Sequence, residues 1–266
     1  MKKSTTVALI LIGAGILLGL LSYFLIGGDW TKLNSKGNEY AEKKYESSEG
    51  IKEIVIDESA DSTVIGSADI DNVVIEYYDD PDSPVYQIEE SDGRLFFSRH
   101  DRSIFKLMHM GLAHKDITIT IPKDYAGILD IESTSGSLTA ENITAGEMRV
   151  ENTSGSIVFT NAVSEGNFSL DSTSGATELT GVQAGGNISM ENTSGSIKIT
   201  NLKGEGDIHL RNTTGSIEGT IDGSESDYSI SSHTTAGSCN LKNSTGGEHS
   251  LTATTTAGSI EIEFTK

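Results

Sequence analysis

The chain is poor in cysteine, proline and basic residues. It has one cysteine, Cys239, so no disulfide can form within it. Only 3 prolines stand beside 29 glycines, which indicates many tight turns rather than a proline-rich linker. There are 19 basic residues against 39 acidic ones, and the formal charge is -20. A field of this sign repels nucleic acid, so we expect no nucleic-acid partner and favour cationic ligands.

Motifs of the common enzyme classes are missing too. The sequence has no Gly-x-Ser-x-Gly elbow, no His-Glu-x-x-His, no P-loop and no paired cysteine motif. Its 6 histidines are scattered, and none has the spacing of a metal site. We therefore predict that the protein is not an enzyme, and we assign no catalytic residue and no cofactor.

One long apolar stretch lies near the N-terminus. Residues 7–26, from Val7 to Ile26, form a run of 20 residues without a charge, enough for a helix of about 30 Å that crosses a bilayer. Two lysines precede it and Asp29 is the first charge after it, which places the N-terminus in the cytoplasm and the ectodomain outside. We predict a single-pass anchor in the cell membrane over residues 1–28. A cleaved signal peptide is the alternative.

The remainder of the chain shows strand patterns and no sustained helical periodicity. Residues 29–50 are polar and mixed in charge, and we interpret them as a juxtamembrane spacer. From Ile51 onward β-branched residues alternate with others, as in Ile117-Thr-Ile-Thr-Ile121, which is typical of strands. We predict irregular first β coils over residues 51–125.

From residue 126 the chain repeats itself about every 20 residues. A Thr-Ser-Gly turn, or a looser copy of it, ends at Gly136, Gly155, Gly175, Gly195, Gly215, Gly237 and Gly258. A fixed period of this length predicts a solenoid in which each repeat is one coil stacked on the next. We therefore predict an all-β fold in which residues 126–266 form a repetitive β-solenoid.

Alignment of the repeats on these glycines gives two strands per coil. The residues two and four places after each glycine are mostly apolar. A second glycine turn, as at Gly146, precedes a second apolar pair such as Met148 and Val150. Alternation puts each apolar set on one face, so we predict a two-sided β-solenoid whose two faces pack together. Seven coils would form a prism about 34 Å long, with Cys239 at an inward position.

These features resemble a known family. The segments Ile117-Thr-Ile-Thr-Ile-Pro-Lys123 and Leu129-Asp-Ile-Glu-Ser-Thr-Ser-Gly-Ser137, with the repeats that follow, are similar to the bacterial putative-adhesin β-strand-repeat family, which includes LiaG-like envelope proteins. The resemblance covers residues 51–266. It implies a β-repeat fold and a role in the cell envelope of a Gram-positive bacterium, near envelope-stress signalling, and it assigns no catalytic residues.

An acidic column precedes the glycine turns. Glu132, Glu151, Asp171 and Glu191 occupy the same place in successive coils, and their apolar neighbours are predicted to point inward. The carboxylates should therefore point outward as a ladder with a spacing of about 5 Å. One hypothesis is that this ladder binds Ca²⁺ or a cationic ligand; the alternative is a solvated face that limits aggregation. Arg211 continues the column and would neutralise its end.

The segment from Arg99 to Lys115 departs from the alternating pattern, because it is basic and apolar and contains methionine. One interpretation is a contact for a partner or a membrane surface; the alternative is a cover for one side of the early coils. The candidate contact residues are Arg99, Arg102, Phe105, Lys106, Met108 and Met110.

Three functions follow as alternatives. The leading prediction is a membrane-anchored, extracytoplasmic structural or interaction module of the cell envelope, adhesin-like, with an envelope protein or a wall polymer as partner. The second is an accessory regulator of envelope-stress signalling that binds a membrane sensor. The third is a polysaccharide-acting enzyme on a β-helix scaffold, for which the acidic ladder would supply carboxylates.

Overall fold

The computed structural model describes residues 41–59, 61–82, 84–100 and 116–266. Apart from a short 3-10 turn at Glu225–Asp227, these residues form strands, turns and loops, so the predicted all-β class is confirmed. The N-terminal strands are β1 (Ala41–Glu46), β2 (Glu53–Glu58), β3 (Thr63–Ala68), β4 (Val74–Asp79), β5 (Tyr86–Ser91), β6 (Arg94–Arg99) and β7 (Ile117–Pro122).

The regular middle and the C-terminal part supply the other strands. The middle contains β8 (Ile128–Ser133), β9 (Leu138–Glu141), β10 (Thr144–Ala145), β11 (Glu147–Ser154), β12 (Ile157–Thr160), β13 (Val163–Ser164), β14 (Phe168–Ser174), β15 (Thr177–Thr180), β16 (Gln183–Ala184), β17 (Ile188–Ser194), β18 (Ile197–Gly204), β19 (Ile208–Thr214) and β20 (Ile217–Ile221). The C-terminal part contains β21 (Tyr228–Ala236), β22 (His249–Ala257) and β23 (Ile260–Phe264).

Most of these strands belong to two long sheets. Sheet one has the order β1-β4-β7-β3-β9-β12-β15-β18-β20-β23. Sheet two has the order β5-β6-β2-β8-β11-β14-β17-β19-β22-β21. The pairs β1–β4, β4–β7 and β5–β6 at one end are antiparallel, whereas the other pairs of the two described sheets are parallel. Parallel stacking of strands from different coils is the arrangement that the repeat predicts.

The apolar positions of the repeat form one continuous core between the sheets. At its centre Phe159 and Phe168 are fully buried and meet edge to face, with their ring centroids 5.5 Å apart. This is the geometry that aromatic pairs prefer. Cys239 packs against the core but is only half-buried, because it lies in the outermost coil of the described stack.

The regular coils have three sides, so the prediction of a two-sided solenoid is wrong for them. A third parallel ladder joins β10, β13, β16 and the last two residues of β18, Lys203 and Gly204. Its inward residues Ala145, Ser164 and Ala184 are buried. Each strand contributes only two residues to this ladder, which is too few for an alternating pattern to be recognised in the sequence.

In the regular coils, a residue with left-handed backbone conformation forms the corner between sheet one and the third ladder. Asn142, Asn161 and Asn201 have φ angles of 52°, 52° and 53°, and Gly181 at the equivalent place has 65°. Asparagine adopts this conformation more readily than most residues other than glycine. The Asn161 Nδ2 atom also donates to Asn142 Oδ1 at 3.0 Å, so side chains link successive corners.

The Thr-Ser-Gly glycines stack at the corner between sheet two and sheet one. Gly155 has a φ of 123°, and a Cβ atom added to it would overlap the carbonyl oxygen of Gly136. Gly175 stands on Gly155 in the same way. Inside the corner, Asn192 Nδ2 donates to the carbonyl oxygen of Gly175 at 3.1 Å. The close approach of the coils and the positive φ together explain why glycine recurs here.

The coils at both ends do not stack in sequence order. Strand β22 pairs with β19 on one side and with β21 on the other, so Gly258 stacks on Gly215 and Gly237 stacks on Gly258. At the other end, β2 lies between β6 and β8. The prediction that each coil stacks on the next is therefore correct only for the regular middle.

Part of the predicted spacer belongs to the fold. Strand β1 pairs with β4, from Ala41 opposite Asp79 to Glu46 opposite Val74. Its Tyr45 packs against the core, and the hydroxyl donates to Glu90 Oε2 at 2.8 Å. Residues that the sequence analysis placed before the first coils therefore form an edge strand of sheet one.

The predicted membrane segment from Val7 to Ile26 lies outside the described residues. Within residues 41–266, excluding the gaps given above, no helix has the length and apolar character needed to span a membrane.

Candidate functional site

The four predicted acidic residues form one ladder on the outer face of sheet two. The backbone register places Glu132 opposite Glu151, Glu151 opposite Asp171, and Asp171 opposite Glu191. Their chain neighbours on the inner side, such as Val150, are buried, whereas the four acidic residues are exposed or half-buried. The structure therefore brings all four carboxylates into one outward column.

The ladder extends beyond the repeat at one end and is neutralised at the other. Asp57 of β2 lies opposite Glu132, which makes a fifth carboxylate. Arg211 lies opposite Glu191, and its Nη1 atom is 3.6 Å from Glu191 Oε2. Sequence reasoning missed Asp57 because it belongs to the irregular first coils. The signal was present, since the preceding Ile56 points inward and Asp57 alternates with it.

A ladder of threonines runs beside the carboxylates. Each threonine follows an acidic residue by two places in a strand or its end, so both side chains lie on the outer face. The two ladders line a groove of about 410 Å³. The lining includes Asp57, Glu132, Glu151, Asp171 and Glu191 on one side and Thr134, Thr153, Thr173 and Thr193 on the other. At about 4.8 Å for each strand, the five carboxylates span about 19 Å and the four threonines about 14 Å.

The negative charges of the carboxylates in the middle of the groove repel one another. Burial raises the pKa of Asp171 above its usual value, and the charges of Glu191 and Glu151 raise it further. Among the described residues, no basic side chain lies within ion-pair distance of Glu151 or Asp171. A positive group of a ligand placed here would relieve this repulsion, and it would not have to displace a basic side chain of the protein. The arrangement is therefore suited to amino or guanidinium groups.

The ladder does not converge on a metal centre. In the part of the chain that the structure describes, no three side chains of His, Cys, Asp or Glu come close enough together to hold a metal ion. The carboxylates stand in a line, one for each strand, whereas Ca²⁺ requires six to eight oxygen atoms around one point. Among the described residues the ladder thus forms no convergent Ca²⁺ site, and Ca²⁺ binding stays a prediction.

The predicted contact residue Arg99 lies inside the fold. It is 5% exposed, and its Nη1 atom lies 2.8 Å from Asp61 Oδ2 and 3.4 Å from Glu58 Oε1. The Tyr86 hydroxyl donates to Glu58 Oε1 at 3.2 Å, and the Arg99 guanidinium lies 5.6 Å from the Tyr86 ring centroid. Burial raises the pKa of Tyr86, and Glu58 and Asp61 raise it further, so this hydroxyl stays a neutral donor. Arg99 therefore stabilises the corner between β2 and β3 instead of facing a partner.

The remaining candidate contact residues lie outside the described residues; they are Arg102, Phe105, Lys106, Met108 and Met110. A partner contact or a cover formed by this segment stays a prediction.

A protein-family model describes most of the chain. The model named Toastrack DUF4097 matches residues 51–266. The chain belongs to the Toastrack family. The resemblance inferred from the sequence motifs is confirmed, and residues 51–266 form a Toastrack domain. No curated protein matches this Toastrack chain.

Several solved structures are similar to this Toastrack domain. A putative cell adhesion protein from Clostridium sporogenes ATCC 15579 has 10% identity and a TM-score of 0.40, covering 85% of this chain and 100% of that one. A putative adhesin from Bacteroides fragilis NCTC 9343 has 14% identity and a TM-score of 0.35, covering 85% and 97%. One from Parabacteroides distasonis ATCC 8503 has 11% identity and a TM-score of 0.31, covering 85% and 98%. At this similarity, the names apply to those proteins alone.

Proposed function

We propose that this Toastrack chain is a membrane-anchored, extracytoplasmic interaction module of the bacterial cell envelope, without catalytic activity. The groove on sheet two is its contact surface. The observation that carries the proposal is the pair of ladders, with carboxylates in register over five strands and threonines over four of them. Because the strands that carry both ladders are fixed in a sheet, binding requires little ordering of the domain itself. The charge-free run of residues 7–26 supports the anchor.

The groove fits an extended, positively charged segment of an envelope protein. Carboxylates form charge-assisted hydrogen bonds with lysine and arginine, and threonine hydroxyls can both donate and accept. The formal charge of -20 adds long-range attraction for such a segment. Equal spacing of like groups along about 19 Å suits an extended chain better than a compact small molecule.

Titration of the full chain in detergent with a lysine-rich peptide tests the contact surface. A variant with Glu151→Gln, Asp171→Asn and Glu191→Gln keeps the side-chain shapes and removes three charges from the groove. We expect its affinity for the peptide to fall about tenfold or more, because each lost charge pair weakens binding. Calorimetry at low salt measures the change.

A matched control removes the same number of charges elsewhere. Glu218→Gln, Glu261→Gln and Glu263→Gln lie at exposed positions on β20 and β23 of sheet one. We expect this control to bind the peptide nearly as well as the wild type. Equal loss in both variants would mean that only the net charge matters and would overturn the groove as the contact surface. A second outcome is that the wild type binds purified wall polymer but not the peptide, and that the groove variant loses the polymer binding. That result would identify a wall polymer, rather than a protein segment, as the partner.

The anchor is tested separately. Deletion of residues 7–26 should release the chain from the membrane fraction, whereas the wild type should resist extraction at alkaline pH. Protease added outside intact cells should cleave the wild-type ectodomain. A wild-type chain that leaves the membrane without detergent would contradict the anchor but not the groove.

A further inference from the structure

A column of polar side chains runs inside the corner between sheet two and sheet one. Its members lie three places before the glycines of the turns, and the backbone register stacks each on the next. From β11 to β22 they are Asn152, Ser172, Asn192, Asn212 and Thr255. Each of these residues is at most 5% exposed. The column is therefore a polar strip inside the fold, and its hydrogen bonds have to be found there.

In three coils the column residue donates a hydrogen bond to the corner glycine of the neighbouring coil. Asn192 does so through Nδ2, as described above. Asn212 Nδ2 donates to the carbonyl oxygen of Gly195 at 2.7 Å. Thr255 Oγ1 donates to the carbonyl oxygen of Gly215 at 3.1 Å. The glycine carbonyl is thus the regular acceptor for this column.

The coil that contains Ser172 breaks the pattern. Among the described residues, the Ser172 Oγ atom is buried without a hydrogen-bond partner, and so are both polar atoms of the Asn152 carboxamide above it. A serine side chain is too short to bring a donor to the place that Nδ2 of an asparagine reaches. The carbonyl oxygen of Gly155, the equivalent acceptor for this coil, therefore receives no hydrogen bond from Ser172.

The same coil has a second unpaired hydroxyl on the other side of its corner. Thr177 begins β15, two places after Gly175, and is 1% exposed. It lies between Ile157 and Ile197 in the register of sheet one. Its Oγ1 atom likewise has no partner in the part of the chain that the structure describes. Both inward positions at this corner are therefore hydroxyl residues, whereas the coils on either side have asparagine and isoleucine there.

This pair of replacements creates both the need and the room for a small polar ligand. Buried polar atoms without partners are unfavourable, and proteins satisfy them with internal water. Serine is smaller than asparagine, and threonine is smaller than isoleucine. The two differences together exceed the volume of about 30 Å³ that one water molecule takes up.

We propose that this corner binds an internal water molecule in place of the carboxamide that the neighbouring coils use. The water donates a hydrogen bond to the carbonyl oxygen of Gly155 and exchanges hydrogen bonds with the hydroxyl groups of Ser172 and Thr177. The carboxamide of Asn152, in the adjacent coil, supplies a further partner.

The site lies behind the middle of the groove. Ser172 stands between Asp171 and Thr173 in β14, and these two neighbours line the groove on the outer face. The inference does not depend on what the groove binds, because the water is held by inward-facing groups.

Crystals of the full chain in detergent test the site directly. In the wild type we expect a density peak at hydrogen-bond distance from Ser172 Oγ and Thr177 Oγ1. In Ser172→Asn we expect the peak to vanish, with the new Nδ2 atom donating to the carbonyl oxygen of Gly155. An empty corner in the wild type would overturn the proposal, as would a peak that persists in Ser172→Asn. A peak surrounded by oxygen atoms at metal-ion distances would show a cation instead and would also overturn it.

Thermal unfolding of Thr177→Val tests the site by the sign of the change. The substitution keeps the shape of the side chain and removes its hydroxyl group. If a water is bound, it loses a partner, and we expect the Tm to fall by about 2 °C. If no water is bound, the substitution removes an unpaired buried hydroxyl, and the Tm rises.

The matched control is Thr160→Val, at a half-buried position on the outer face of β12. It accounts for the general effect of valine in place of threonine in a strand, and we expect a change within about 1 °C. A Tm of Thr177→Val that rises relative to this control would overturn the bound water.

Discussion

The middle of the stack and its two ends are built in different ways. Between Gly136 and Gly215 each coil lies on the preceding one, and the same residue types recur at the same corners. At the ends the coil order is exchanged, antiparallel strands appear, and single side chains such as Arg99 and Asn240 form contacts that occur once. The repeat therefore encodes the middle, whereas individual residues encode the ends.

This difference has an energetic side. In a repeat stack, stability is approximately a sum of intrinsic coil terms and interfaces between neighbours. A residue of the middle contacts coils on both sides, so one defect there disturbs two interfaces. An end residue such as Arg99 stabilises one corner, through buried ion pairs with Glu58 and Asp61 that occur once.

The largest effect is expected in the glycine ladder of the middle. Gly155→Ala would overlap the carbonyl oxygen of Gly136 and force alanine into a positive φ. We expect the free energy of unfolding to fall by about 4 kcal/mol. Gly66→Ala in β3, where an added Cβ meets nothing within 4 Å, should change it by less than about 0.5 kcal/mol. Urea unfolding followed by circular dichroism measures both, and equal effects would refute the special role of the ladder.

The next largest effect is expected at the N-terminal end. Arg99→Met removes an ion-pair partner that Glu58 and Asp61 share, and Glu58 is 1% exposed. The free energy of unfolding should fall by about 3 kcal/mol, because two buried carboxylates lose this ion pair. Arg94→Met, in the same strand, breaks only a surface ion pair with Glu53 and should cost less than about 1 kcal/mol. Thermal unfolding compares them; a stable Arg99→Met protein would contradict this account of the corner.

A smaller effect is expected at the corner of the third side. Asn161 has a φ of 52°, so Asn161→Ala should lower the free energy of unfolding by about 1 kcal/mol. Asn161→Gly should be nearly neutral, since Gly181 occupies the same corner in the next coil. Denaturant midpoints of the two variants provide the measurement. Similar losses for alanine and glycine would indicate that the Asn161–Asn142 hydrogen bond matters more than φ.

The smallest effect is expected in the groove and depends on pH. The pKa of Asp171 is raised in the folded state by burial, Glu191 and Glu151, so ionised Asp171 destabilises the fold. Stability should therefore fall as the pH rises through this raised pKa, and Asp171→Asn should be slightly more stable than the wild type at neutral pH.

Urea midpoints at neutral pH and at about pH 3 check the sign, because Asp171 is protonated in both states at the lower pH and the advantage should vanish. Glu261→Gln on β23 serves as the control. An advantage of Asp171→Asn that persists at low pH would show that charge repulsion is not its cause.

Much of the middle was predictable because its signals repeat. Apolar residues two and four places after each glycine, such as Ile157 and Phe159, are buried as expected. The acidic column could be aligned for the same reason. The third side was missed because its strands have two residues, although the asparagine corners at Asn142, Asn161 and Asn201 marked it.

The ends were not predictable from local pattern, because their structure depends on which distant strands pair. Nothing near β22 in the sequence indicates that it enters the stack between β19 and β21. Asp57 joins the acidic ladder only through the pairing of β2 with β8. Threonines of the groove were also overlooked as a surface, since the turn motif already accounted for them.

The position of β21 has a consequence for the order of events during synthesis. Residues 228–236 leave the ribosome about 20 residues before β22 (His249–Ala257), their strand partner in sheet two. The regular coils can add one at a time to the coil already formed, up to β19 and β20. The outer coil, which contains β21, can pack on the stack only after residues 249–264 have paired with β19 and β20. The last two coils should therefore assemble in one cooperative step rather than in succession.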